Sequence, residues 1–336
     1  MKKYLRGAMC TVAFTVTALP AGAIDKAIQP EQINTFVEEM AAKHTFDKAS
    51  LALLLGAAQK QQRILDAIAS PAEAKPWYAY RPIFVTESRI REGIEFWNAN
   101  AATLNRAAEV YGVPPEIIVA IIGVETRYGR HKGGFRVIDS LATLAFNYPP
   151  RSAFFRSELE QFLLLAREEN LDPLQPVGSY AGAMGRPQFI SSSYRRYAID
   201  FDGDGFRDLW QNDADAIGSV ANYFARHGWQ SGEPVTYRAT VEGDGFNQVL
   251  SSSPRTDRTI GELHAQGVRI DAPLADDQPA TLFRLDTRGD PEYWVGLKNF
   301  YVITRYNHSI LYAMAVYQLS QEIMAQRGAN PQARSG

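Results

Sequence analysis

Glu125 is the residue whose place in the sequence is hardest to explain by folding alone. It lies one helical turn beyond Ile121 and Ile122 and two turns beyond Ile118, so a helix here carries a carboxyl on a face of residues that bury. In apolar surroundings a carboxyl holds its proton more tightly, and at neutral pH it can still hand that proton to an oxygen leaving group. The spacing equally accommodates a glutamate near a helix end that pairs with Arg127 or Arg130.

A second pattern is rich in oxygen. From Asp200, carboxylates fall at loop positions 1, 3, 5 and 9 as Asp200, Asp202, Asp204 and Asp208, with Gly205 at position 6 and the Phe206 carbonyl at position 7. That is the order of an EF-hand loop, which wraps a hard cation such as calcium. Gln211 stands at position 12, where a bidentate glutamate is expected, so the pattern is incomplete. A solvated acidic turn is the alternative. His131 and His227 have no partner at metal-ligand spacing, Ser191 to Ser193 lack a nucleophile-elbow context, and no glycine-rich nucleotide loop is present.

These groups need elements to hold them. Pro114 and Pro115 begin a helix through Glu125, with Gly129 marking its end. Upstream, Ile33, Phe36, Val37 and Met40 recur at helical spacing, as do Leu51, Leu54 and Leu55, and Ile90, Ile94, Trp97 and Leu104 line one longer helix. Trp77, Tyr78 and Tyr80, set among Pro76 and Pro82, read as a loop. Helices are expected again over 154–168, 215–227 and 309–325. Between Glu233 and Thr304 the pattern changes to short β-like runs such as 235–241 and 281–285, punctuated by Gly and Pro, which read as a small β-rich part.

Composition bounds the class. The 336 residues are 46% hydrophobic and 21% charged with a net charge of −2, which suits a globular protein and argues against nucleic acid or an anionic membrane as main partner. Lys2, Lys3 and Arg6, the apolar run from Ala8 to Leu19 and the small residues Ala21 to Ala23 form an export signal, with a mature start at Ile24. The only cysteine, Cys10, falls inside that signal, so the mature chain is expected to have neither disulfide nor thiolate metal site. Lipid attachment at Cys10 is disfavoured by the bulky Met9 before it.

The run from Gly123 to Gly129 resembles the catalytic-helix signature of B-type lytic murein transglycosylases. Ser179 to Gly185 with Gln188 and Phe189 resembles their second motif. The likeness extends to Tyr111–Ile118, Gly218–Phe224, Asn299–Tyr301 and Thr304–His308, and covers most of the chain from Trp77 to Tyr317. It implies a mainly α (α+β) fold: a lysozyme-like core with a helical domain and a small β-rich domain. The corresponding division is a signal over 1–23, helices over 24–112 joined by 308–326, the core over 113–231, the β-rich part over 232–307 and a flexible tail over 327–336.

The resemblance implies that Glu125 is the sole catalytic carboxylate, cutting the murein glycan without hydrolysis and leaving 1,6-anhydro-N-acetylmuramic acid ends. It implies that Ser179 and Gln188 orient the glutamate or the sugar, and that Tyr80, Tyr223, Tyr301 and Tyr306 line the glycan cleft. In such relatives a later aspartate closes the cation loop; Asp215 matches it, which makes Asp200, Asp202, Asp204, Phe206 and Asp215 the ligand set of a structural calcium. Peptidoglycan strands, acted on by a periplasmic monomer that also meets other wall enzymes, are the implied partners. Two departures stand out: Arg186-Pro187 replaces the usual Tyr-Gly, and Ile190-Ser191 replaces Met-Pro. Because proline fixes φ and lacks an amide donor, the loop presenting Gln188 need not keep its usual shape. That leaves open a non-catalytic glycan-binding scaffold. A hydrolase is the third reading and asks for a second carboxylate, for which Asp139 is conceivable.

Overall fold

The computed structural model describes residue 28, residues 30–69 and residues 75–329. The export signal with Cys10 and the last seven residues of the tail lie outside the described residues.

Three helices open the described chain: α1 (Pro30–His44), α2 (Lys48–Gly56) and α3 (Gln62–Ile68). Asp47 caps α2 by accepting the Ser50 amide. The aromatic stretch expected as a loop is instead helix α4 (Trp77–Phe84). Pro76 precedes its first turn, where proline is tolerated, while Trp77 and Tyr80 lie three residues apart and bury on one face. Pro82 removes one helical bond, and α4 stops two residues later.

The single long helix expected across Ile90 to Leu104 is two, α5 (Glu87–Ala99) and α6 (Ala101–Tyr111). Asn100 interrupts them with φ −118° and ψ 19°, and its side-chain amide donates to the Phe96 carbonyl. Gly112, at φ 70°, ends α6 in the left-handed region that glycine enters without penalty.

Helix α7 (Pro115–Thr126) has proline at its first position and buries Ile117 through Val124. It stops at Arg127, two residues before the expected Gly129. Arg127 and Tyr128 both adopt positive φ, 51° and 58°, so that their amides turn back onto the Gly123 and Ile122 carbonyls. Next come β1 (Phe135–Arg136), α8 (Val137–Asn147), α9 (Ser152–Glu168), β2 (Val177–Gly178), α10 (Ser191–Tyr197) and α11 (Asp213–Arg226). β1 and β2 pair antiparallel, Phe135 opposite Gly178.

The β-rich part contains β3 (Thr236–Val241), β4 (Arg258–Thr259), α12 (Ile260–Ala265), β5 (Val268–Ile270), β6 (Pro279–Leu285) and β7 (Glu292–Gly296). Its strands form one antiparallel sheet in the order β4-β6-β7-β3-β5. α13 (Lys298–Thr304) and α14 (Ile310–Ala329) follow. α14 stays helical past position 327, where a loose tail was expected.

Three apolar clusters hold these elements. One joins α4 to α7 with α11, α13, α14 and the end of β6. A second joins α1 to α3 with α8 to α10, and a third lies between the sheet and α12. Tyr306 packs against both the first and the second, so the segment between α13 and α14 spans the seam between them. The fold is mainly helical with a small sheet.

Candidate active site

Glu125 sits in the last turn of α7, behind six consecutive residues, Ile117 to Ile122, that solvent barely reaches. Part of the residue reaches the surface, but its carboxyl is enclosed. The hydroxyl of Tyr312, on α14, donates to Glu125 Oε1 at 2.6 Å. Loss of hydration pushes the Glu125 pKa up to about 7, against the smaller opposing effect of the Tyr312 bond. Tyr312 and Tyr306 have pKa values raised well above the phenol range, by burial first and then by the charge Glu125 carries when ionised. Both remain hydroxyl donors at neutral pH.

Arg127 and Arg130, the ion-pair partners that spacing allowed for Glu125, turn to Glu92 instead. Arg127 donates to both Glu92 oxygens at 2.6 and 2.7 Å, and Arg130 donates to Oε1 at 2.7 Å. Those bonds hold the Glu92 pKa below the usual carboxylate range despite burial. Asp139, the conceivable second carboxylate, is also committed elsewhere: it pairs with Arg136 at 2.9 Å and accepts the Gln59 amide at 2.9 Å. It does not supply the second group a hydrolase needs.

The Arg186-Pro187 segment is pinned on several sides. The Thr126 hydroxyl, next to Glu125, donates to the Arg186 carbonyl at 2.8 Å, and the Arg186 amide donates to the Leu209 carbonyl at 2.7 Å. The Arg186 guanidinium pairs with Asp213 at 2.6 Å. Tyr306 donates to the Pro187 carbonyl at 2.6 Å. Proline has cost this loop an amide donor, yet its carbonyl ties the loop to Tyr306, a buried tyrosine close enough to Glu125 to feel its charge.

Gln188 follows with φ 52°, and its side-chain amide donates to the carbonyls of Gly185 and Lys132. It lines a cavity of about 340 Å³ with Phe189, Tyr223, Arg305, Tyr306 and His308. Tyr223 donates to the Arg305 carbonyl at 2.5 Å and stacks on the His227 ring at 4.0 Å. Ser179 accepts the amides of Ala181 and Ala183 and so shapes its own loop. Tyr80 is buried against Trp77 and Phe84, close enough to Tyr312 to raise its pKa. Tyr301, on α13, is half-buried between Lys298 and Arg305. Of the residues named from sequence, the structure thus brings Gln188, Tyr223 and Tyr306 to one cavity and Tyr80 to the tyrosine that holds Glu125. Ser179 and Tyr301 are not among the residues lining that cavity, although Tyr301 faces Arg305, which is.

Tyr312 itself went unrecognised in the sequence. A signal was present: at positions 312, 316, 319 and 323 it heads a helical seam otherwise made of Val316, Leu319 and Ile323, and a buried tyrosine needs a partner for its hydroxyl.

In the acidic loop, Asp200, Asp202 and Asp204 bring oxygens within 4.8 Å of one another. Asp215 is buried beneath them and spends both oxygens on the loop backbone, accepting the Phe201 amide at 2.7 Å and the Asp208 amide at 2.8 Å. Phe206 is 67% exposed. Burial raises the Asp215 pKa, and the nearby Asp202 and Asp200 add to that. Neither His131 nor His227 joins a metal-ligand cluster among the described residues.

Residues 29–321 match the family described as Transglycosylase SLT domain. The chain is 48% identical over 302 residues to the membrane-bound lytic murein transglycosylase B of Escherichia coli, covering 87% of this chain and 82% of that protein. The crystal structure of soluble lytic transglycosylase SltB1 from Pseudomonas aeruginosa is 53% identical with a TM-score of 0.85, over 88% of this chain and 99% of that one. The Escherichia coli lytic transglycosylase Slt35, solved in complex with calcium, is 45% identical with a TM-score of 0.82, over 93% of this chain and 99% of that one.

Proposed function

The chain belongs to the lytic murein transglycosylases of the SLT family, and from that premise we propose that Glu125 is its single acid and base. The enzyme cleaves the β-1,4 bond between N-acetylmuramic acid and N-acetylglucosamine in peptidoglycan and leaves 1,6-anhydro-N-acetylmuramic acid ends.

The observation that carries the role of Glu125 is its enclosed carboxyl, held by one phenol, paired with no arginine or lysine among the described residues, and poised near pH 7. With Oε1 accepting from Tyr312, the proton of the neutral acid resides on Oε2, which delivers it to the glycosidic oxygen as the bond breaks. The bond electrons leave with that oxygen. The sugar cation is then captured by its own 6-hydroxyl, whose proton returns to Glu125, while the Tyr312 bond stabilises the carboxylate between the two transfers. One carboxyl therefore serves both halves of the reaction and is regenerated. The low dielectric that raises its pKa also makes it a competent base once ionised.

Tyr223, Tyr306 and Gln188 line the cavity that we assign to the glycan, and Tyr80 supports it from behind Tyr312. Ser179 keeps its hydroxyl proton for a sugar oxygen, since the oxygen itself accepts two amides. Tyr301 belongs to the rim of the same cleft in this reading. Digestion of purified murein followed by mass spectrometry tests the assignment: anhydro-ended fragments that vanish in Glu125→Gln support it, and reducing ends contradict it.

Asp200, Asp202 and Asp204 fit a calcium ion, because hard oxygen ligands at this spacing suit its long bonds and irregular coordination. The Phe206 carbonyl completes that side, and Asp215 braces the loop from below. The ion would supply folding stability to the loop that leads into α11. Residues 1–23 act as an export signal that delivers the enzyme to the periplasm, supported by their charged start, apolar run and small residues. A mature chain beginning at Ile24 checks this.

A further inference from the structure

A second cavity, of about 720 Å³, opens between α4, the later turns of α14 and the sheet. Four aromatic side chains line it: Trp77, Tyr78, Trp294 and Tyr317. Tyr78 is 43% exposed, and Trp294 and Tyr317 are half-buried, so their surfaces remain available. None of the four has a part in the chemistry at Glu125.

The polar groups of the wall are paired with one another. Arg81 donates to Gln318 at 2.5 Å and lies 3.5 Å from Glu322. Across the cavity Glu292 accepts the Trp294 indole N–H at 3.1 Å and lies 3.5 Å from Arg238. Two arginines thus face two glutamates, and the wall has no net charge. Such a wall gives little attraction to an anionic lipid or a polycation, whereas fixed aromatic faces beside planar polar groups suit a neutral sugar, which has apolar C–H faces and hydroxyls at its rim.

The cavity shares its helices with the acid. Tyr312, which holds Glu125, precedes Tyr317 by five residues, roughly 7 Å along α14. Tyr80, which influences Tyr312, stacks with Trp77 at 6.4 Å. The cavity is therefore built on α4 and α14, the two helices that also carry Tyr80 and the Tyr312 that holds Glu125.

We propose that this cavity is a second glycan-binding site, one that holds a neighbouring stretch of the murein strand while Glu125 cuts. The inference rests on the proposed function. Binding the same polymer twice raises the local concentration of bonds at the acid without adding any catalytic group.

Tyr78→Ala and Trp294→Ala, each placed in the full-length Glu125→Gln protein, are to be compared by co-sedimentation with purified insoluble murein. Each loosens binding by about 5- to 10-fold, the scale of one lost aromatic contact. In the active enzyme the same substitutions leave kcat on a saturating soluble murein tetrasaccharide unchanged, because the second cavity supplies no group to the chemistry at Glu125. Unchanged sedimentation of both variants overturns the proposal. Equal loss on the tetrasaccharide overturns it too, by placing the residues in the cleft itself. Tyr78 is exposed, so its variant keeps the test decisive if Trp294→Ala lowers the melting temperature. A parent enzyme that forms no anhydro ends from the tetrasaccharide contradicts the proposed function instead, and sedimentation still decides the cavity.

Discussion

Glu92 and Glu125 lie on adjacent helices, both withdrawn from water, and are held in opposite states. Glu92 receives three charge-assisted bonds from Arg127 and Arg130 and stays ionised below the usual carboxylate pKa. Glu125, two residues from Arg127 in sequence, receives one phenol bond, and its pKa rises to about 7. Burial alone does not make an acid. What separates the two is where the arginines point, and that follows from the left-handed turn at Arg127 and Tyr128, which carries the guanidinium away from α7 toward α5.

The comparison can be broken in order of effect. Glu125→Gln removes the proposed proton donor but keeps shape, so turnover of murein is expected to fall by about 10³-fold or more while sacculus binding persists, measured by release of anhydro fragments. Stability separates the pair next. Glu92→Gln costs about 2 kcal/mol at neutral pH, the arginines being partly exposed and able to regain water. The Glu92 contribution is present above the unfolded glutamate pKa and is lost as pH falls through its lower folded value. Glu125 has the opposite sign. Its folded pKa is raised, so its ionisation penalty is absent near pH 4, grows as pH rises from the ordinary glutamate range, and is complete above about pH 7. Glu125→Gln is therefore more stable than the parent at pH 8, by about 2 kcal/mol, and equal to it near pH 4, as denaturant titrations at the two pH values will show.

Tyr312→Phe gives a smaller change. It takes away the bond that favours the carboxylate, so kcat falls about 10-fold and the alkaline limb of the pH–rate profile moves to higher pH. A limb that moves to lower pH would reverse the assigned role of Tyr312. The smallest effect belongs to the acidic loop. Calcium raises the melting temperature by a few degrees, about 1 kcal/mol, and Asp202→Ala removes the increase without altering turnover of murein.

Much of this site was legible in sequence because its signals are local. The Pro-Pro start of α7, the apolar run and the carboxyl among isoleucines are all contained in twelve residues, and short β-like runs marked β3 and β6. What sequence hid is relational. Arg127 and Arg130 are near Glu125 along the chain, but their partner comes from α5. Tyr312 is 187 positions away from the group it holds. α8 escaped notice because it is buried nearly all round, with Asp139, Ser140 and Thr143 breaking the apolar period and satisfied inside by Arg136, Ser179 and Gln59. The aromatic stretch at Trp77 read as a loop because prolines flank it, although one proline precedes the first turn and the other lies close to the last. Asp215 matched the loop-closing aspartate by order, while its oxygens went to backbone amides.

The central claim is that Glu125 is protonated when substrate arrives. Carbon-13 NMR of the side-chain carboxyls, with the Glu125 resonance assigned by its absence in Glu125→Gln, follows that proton directly. The account predicts a titration centred near pH 7 in the free enzyme. A Glu125 carboxyl that titrates near pH 4, with its neighbours, would contradict it.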